Sequence, residues 1–155
     1  MARKLETTAA EIRLKEFGYC ADVRWKRRFR NFDRAVVLLR EPIGRGIDTL
    51  SDLEREGTVR RFEFALELAW KTLKDYLEHE GKVIQPITPR SVIKEAFAAQ
   101  ILSDGQVWID MLDHRNLLSH TYDMDTFEKA VGAIRDRYHG AIEDLHAWFT
   151  ERSVE

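Results

Sequence analysis

The sequence predicts an all-α protein, an up-and-down four-helix bundle with short additional helices. Three prolines and eight glycines in 155 residues leave long uninterrupted segments. Within those segments apolar side chains recur at steps of three and four, the spacing of a helix with one buried face. No segment alternates with the period of two that a half-buried strand requires, and no internal repeat or low-complexity stretch appears.

Residues 1–23 are weakly patterned. Ile12, Leu14 and Phe17 line a short helix that Gly18 is expected to end, and this part reads as an N-terminal extension. From Arg24 to Arg40, Trp25, Phe29, Phe32, Val36 and Leu39 form one stripe, with Glu41-Pro42 and the glycines 44 and 46 expected to stop it. Ser51-Asp-Leu-Glu54 is a capping box, and Gly57 predicts a kink or break just after it. Thr58 to Glu80 is the strongest helix, with Phe62, Leu66, Ala69, Leu73 and Tyr76 aligned and Gly81 placed as its C-terminal cap. Thr88-Pro89 opens a short helix through Val92, Ile93, Ala96 and Phe97. Ser103 and Asp104 offer a start for a helix from Gln106 to about His120. Asp125-Thr-Phe-Glu128 reads as a second capping box, leading into one long final helix through Phe127, Val131, Ile134, Tyr138, Ile142, Leu145 and Trp148. Residues 24–150 thus form the bundle domain and 151–155 a tail. Trp25, Trp70, Trp108 and Trp148 fall one on each principal helix, which fits core anchoring.

Composition narrows the function classes. With 44% hydrophobic and 34% charged residues, the chain is too apolar for disorder and too charged for a membrane protein. No run approaches a membrane span and no signal peptide is recognised, so a cytoplasmic location is expected. The lone Cys20 has no disulfide or zinc companion, which fits a reducing compartment. Net charge is only −2, so any nucleic-acid footprint has to be local. Such a patch exists at Arg24, Lys26, Arg27, Arg28, Arg30 and Arg34, interleaved with Trp25 and Phe29. It reads either as an RNA track or as the solvated back of an amphipathic helix. Gly44 and Gly46 follow no strand pattern and give no nucleotide loop.

The polar segment Asp113-His-Arg-Asn-Leu-Leu-Ser-His-Thr-Tyr122 has the residue types that handle phosphate and protons. Arginine offers a fixed fork of donors to anionic oxygens, and histidine gives or takes a proton near neutral pH. Asparagine orients a group and tyrosine supplies a hydroxyl, completing the parts of a metal-free phosphoryl-transfer or RNA-cleaving site. On a helix Asp113, Asn116 and His120 share a stripe, whereas Arg115 and His120 stand about 140° apart. Either the helix ends before His120 or the site is completed across an interface. Asp113 and Ser119 are candidate supporting groups. The same residue types also serve as caps and packing groups at helix ends. No zinc site is expected, since His114 and His120 lack a third ligand, and no cofactor is indicated.

Several blocks taken in order resemble the nucleotidyltransferase substrate-binding protein family, in the HepT-like branch of the HEPN superfamily. They are Arg24-Trp25, Leu50-Ser-Asp-Leu-Glu54, Arg61-Phe-Glu-Phe64, Glu67-Leu-Ala-Trp-Lys-Thr-Leu-Lys-Asp-Tyr76, Pro89-Arg90 and Trp108 to Tyr122. The superfamily mark is Arg, four to six residues, then His, with tyrosine two positions further in HepT-like members. Arg115, Asn116, His120 and Tyr122 occupy those places. The resemblance implies a helical bundle forming a symmetric homodimer with the motifs meeting in the cleft between subunits. It implies metal-independent RNA cleavage by a toxin, with Arg115 steadying the phosphate, Asn116 orienting and His120 moving the proton. It also implies a partner, a minimal nucleotidyltransferase acting as antitoxin by adenylylating Tyr122. The alternative is a non-catalytic substrate-binding subunit of a nucleotidyltransferase complex, because the subfamily with Glu-Leu-Ala-Trp-Lys is named for that role.

Overall fold

The computed structural model describes residues 9–120 and 123–154, with side chains from residue 23 onward. Helix α1 runs Ala9–Arg45 and is followed by a 3-10 turn, Ile47–Thr49. Then come α2 (Asp52–His79), α3 (Pro89–Ala98) and α4 (Gly105–His120). A last rod is built from α5 (Met124–Ala133), a π turn (Ile134–Tyr138) and α6 (His139–Ser153). The described residues contain helices and no strand, and no helix among them is long and apolar enough to cross a membrane. The all-α expectation therefore holds, with α1, α2, α4 and the last rod as principal elements and α3 as the short addition.

Two expected helix ends are absent. Gly18 does not stop α1, since one interior glycine costs only about 1 kcal/mol against alanine, and residues 9–23 are continuous with the helix that follows. Pro42 does not stop it either. Its missing N–H leaves the Leu38 carbonyl without a helical partner, and Arg61 Nη1 on α2 donates to that oxygen at 2.7 Å. The break expected at Gly57 is also absent, because α2 is unbroken.

Other ends follow the sequence. Ser51 and Glu54 form the reciprocal capping box, with the Glu54 amide donating to Ser51 Oγ at 3.2 Å and the Ser51 amide donating to Glu54 Oε1 at 3.1 Å. Gly81, at φ +85°, lies just past α2 in the left-handed region that glycine adopts freely. Thr88 Oγ1 accepts from the Ser91 amide and Pro89 opens α3. The second capping box does not form. Asp123, two residues upstream of Asp125, accepts from the Asp125 amide at 3.1 Å and from Thr126 Oγ1 at 3.0 Å, while Glu128 is taken by Arg55 of α2.

The core is apolar and aromatic. Trp25, Phe29, Phe32, Val36 and Leu39 of α1 meet Phe62, Leu66, Ala69 and Leu73 of α2 and Ile142, Leu145 and Phe149 of α6, all buried. Trp25 and Trp108 are buried, while Trp70 and Trp148 are partly buried against the core. The ion pairs Arg28–Asp75 and Arg45–Glu54 fix α1 and α2 as antiparallel. On the other flank Asp33 meets His146 Nε2 at 2.6 Å and Arg40 holds both oxygens of Glu143, tying α1 to α6. In the last rod, Ile134, Tyr138 and Ile142 follow at steady steps of four, which on an ideal helix would swing the third about 80° from the first. The wider π turn absorbs that drift, and all three are fully buried.

Candidate functional site

Helix α4 is anchored at its start and projects at its end. Asp104 Oδ1 accepts from the Gln106 and Val107 amides at 3.1 and 3.3 Å, the N-terminal cap foreshadowed by Ser103-Asp104. Gly105 lets the helix start close to the Phe97 ring, since a Cβ there would meet that ring at 3.1 Å and the ring would have to give by a few tenths of an ångström. Val107, Trp108, Met111 and Leu112 then enter the core, and beyond them only His114, Arg115 and Leu118 are partly covered. The polar segment thus occupies the half of α4 that outruns the hydrophobic core.

Its side chains divide between two faces. Arg115 turns inward to α2, where Nη1 lies 3.1 Å from Glu67 Oε2. That carboxylate also accepts from Trp70 Nε1 at 2.9 Å and pairs with Lys71 Nζ at 2.9 Å. Burial pushes the Glu67 carboxyl up, but the Trp70 and Lys71 hydrogen bonds and the Lys71 and Arg115 charges outweigh it and leave the group below its ordinary value. Arg60, Glu63, Phe64, Glu67, Arg115 and Ser119 line a groove of about 610 Å³ between α2 and α4. Arg60 pairs with Glu63 at 3.3 Å and lies over the Phe64 ring at 4.9 Å. Ser119 Oγ donates to the Arg115 carbonyl at 3.0 Å.

Asn116 and His120 lie on the outer face, exposed, and make no hydrogen bond to another described residue. Asp113 shares that face but is drawn to Arg90 of α3 at 2.7 Å. Since α4 continues through His120, an earlier end to the helix does not bring Arg115 and His120 together. Within one chain they point to different surfaces. Tyr122 lies outside the described residues.

Two participants carried no assigned role in the sequence reading. Glu67 sits inside the Glu-Leu-Ala-Trp-Lys block, and its signal was the spacing of Trp70 and Lys71, three and four residues on, which places both beside it on a helix. His114, next to Arg115, turns to the π turn, where its Nδ1 lies 2.5 Å from the Tyr138 hydroxyl. Burial, with Asp110 nearby, pushes the Tyr138 phenol up to about 12, so it keeps its proton, and the direction of the hydrogen bond follows the His114 tautomer. Among the described residues no group of three or more His, Cys, Asp or Glu side chains is arranged to hold a metal ion.

Comparison with known proteins agrees with this architecture. A crystal structure of a protein from Thermus thermophilus superposes with a TM-score of 0.67 at 28% identity, covering 80% of this chain and 99% of that one. A protein of Haemophilus influenzae (strain ATCC 51907 / DSM 11121 / KW20 / Rd) named probable ribonuclease HepT is 31% identical over 72 residues. That match covers 44% of this chain and 49% of the relative, so the chain spans about half the length of the curated relative it matches. A family model described as nucleotidyltransferase substrate binding protein like matches residues 27–151. With that match running from within α1 into the last turn of α6 and taking in both faces of α4, the chain belongs to the nucleotidyltransferase substrate binding protein like family.

Proposed function

We propose that this chain is a HepT-like, metal-independent endoribonuclease, the toxin of a toxin–antitoxin pair, whose active site is shared by two copies of the chain. The observation that carries the reading is the division of the motif, with Arg115 in the α2–α4 groove and Asn116 and His120 on the outer face of the same helix. A symmetric dimer puts the outer face of one chain against the groove of the other and joins what a single chain separates. The name of the Haemophilus influenzae relative supports the chemistry.

In that site His120 takes the proton of a ribose 2′-hydroxyl and the freed oxygen attacks the adjacent phosphorus. The bond to the 5′-oxygen breaks, leaving a 2′,3′-cyclic phosphate, and the departing oxygen takes its proton from water. Arg115 stabilises the charge that builds on the phosphate oxygens, and Asn116 orients the reacting group. Tyr122, two residues past His120, is the control point. Adenylate placed there by a partner minimal nucleotidyltransferase adds negative charge where the RNA phosphate has to sit.

A second reading is favoured by one contact. Glu67 already neutralises Arg115, and a groove with balanced charges suits a non-catalytic subunit that docks the nucleotidyltransferase or its substrate. The experiment is incubation of the purified chain with mixed RNA in chelator, beside Arg115→Ala and His120→Ala. Cleavage that both variants lose is the expected result. No cleavage by the folded wild-type chain, together with a tight complex with the nucleotidyltransferase, sinks the ribonuclease reading in favour of the second.

A further inference from the structure

The basic run on α1 is split by the fold into two sets. Arg24 pairs with Glu78 at 2.7 Å, Arg28 pairs with Asp75 at 2.6 Å, and Lys26 lies 5.7 Å from the Trp25 ring. These side chains serve the bundle. Arg27, Arg30 and Arg34 are exposed, and no acidic side chain among the described residues pairs with them. At 100° per residue the three fall within about 60° of one another, opposite the buried Phe32 and Val36, over a rise of about 10 Å. Of the described acids on α1, Asp33 is turned to His146 and Glu41 to Arg61.

Such an arrangement works against the helix, because like charges one turn apart repel. No acidic side chain among the described residues offsets that repulsion, so the stripe is open to an external anion. Further along α1, Val37 and Leu38 are exposed at 52% and 51%, and Phe64 on the adjoining α2 at 54%. The Leu38 carbonyl is held by Arg61, which places this part of α1 beside the α2 turn carrying Arg60 and Phe64, at the rim of the Arg115 groove. Cations along a strip that leads to an exposed aromatic ring match a single strand, whose phosphates want charge and whose bases want a stacking face.

We propose that Arg27, Arg30 and Arg34 form a backbone track for single-stranded RNA, holding the part of a long substrate that lies outside the groove. This rests on the ribonuclease reading and deepens it, since the groove reads the cleaved step and the track adds length-dependent affinity. The test uses the full chain, an RNA trimer that fills only the groove, and a labelled uridine-rich 20-mer. The variant is Arg27→Gln/Arg30→Gln/Arg34→Gln, with the triple lysine replacement as charge-preserving control and a thermal melt to verify folding.

The glutamine variant is expected to bind the 20-mer at least about tenfold more weakly at low salt, with the slope of log affinity against log salt reduced by about 2, or 0.7 for each lost phosphate contact. Trimer cleavage stays unchanged, and the lysine control retains most of the affinity. Equal 20-mer affinity and salt slope in wild type and glutamine variant overturn the track while wild-type trimer cleavage leaves the ribonuclease reading standing. A wild-type chain that neither cleaves nor binds RNA overturns both. If the glutamine variant loses only its complex with the nucleotidyltransferase, the stripe is a protein-docking surface and the RNA track is wrong.

Discussion

Glu67 shows how one carboxylate sets the resting state of the groove. It is held by Trp70, Lys71 and Arg115 together, and its charge competes with any phosphate that approaches Arg115. Glu67→Gln keeps an acceptor for Trp70 and removes that competition, while loosening the grip that aligns the guanidinium. Under the ribonuclease reading KM for RNA falls and kcat falls by roughly tenfold, about 1.4 kcal/mol of transition-state stabilisation. Stability changes by less than about 1 kcal/mol, as expected of a part-exposed ion pair. Steady-state kinetics beside a urea melt measures both, and an unchanged kcat contradicts the alignment role. The legibility of the site follows the same division. Arg115, Asn116 and His120 stand out by residue type and spacing along six positions. The partner of Arg115 lies 48 residues away on another helix, a distance that local periodicity does not bridge.

At the level of the elements, the caps were the most legible features, because Ser51, Thr88 and Asp104 act through amides two or three residues away. The helices run on through Gly18, Pro42 and Gly57, because the propensity cost of a single interior glycine is modest and an α2 side chain compensates the proline. The π turn had no local signal beyond the steady steps of four.

Gly57 gives a clean test, since it lies inside α2, is exposed, and a Cβ there meets nothing within 4 Å. Gly57→Ala is expected to stabilise the chain by about 0.5–1 kcal/mol, read from the urea midpoint at unchanged m. The α1–α6 junction makes a second prediction. The Arg40 hydrogen bond, opposed by burial, holds the Glu143 carboxyl below its ordinary value. A depressed carboxyl contributes stability above its unfolded value of about 4.3 and loses it as pH falls through the folded value. Glu143→Gln is therefore expected to be less stable than wild type near neutrality, with the difference closing below about pH 4. Urea melts across that range measure it, and a gap that persists in acid points to packing instead.

For the whole molecule, the separation of Arg115 from His120 turns the site into a question of assembly. If each site takes Arg115 from one chain and His120 from the other, Arg115→Ala and His120→Ala are each inactive. A mixed dimer of the two then carries one intact site. Random reassortment of equal amounts makes half the dimers mixed, so about a quarter of wild-type cleavage returns on mixing. An RNA cleavage assay after joint unfolding and refolding decides this, and activity that stays absent refutes a shared site. The same architecture limits how the molecule can move. Because the Leu38 carbonyl left open by Pro42 is filled by Arg61 from across the interface, α1 and α2 are locked in register like a latch in a notch. A one-turn slide of about 5.4 Å would pull the latch free and leave a helical carbonyl bare, so this pair forms a fixed chassis. Arg40–Glu143 and Asp33–His146 tie the last rod to the same chassis, so any shear that accompanies partner binding belongs to α3 and α4.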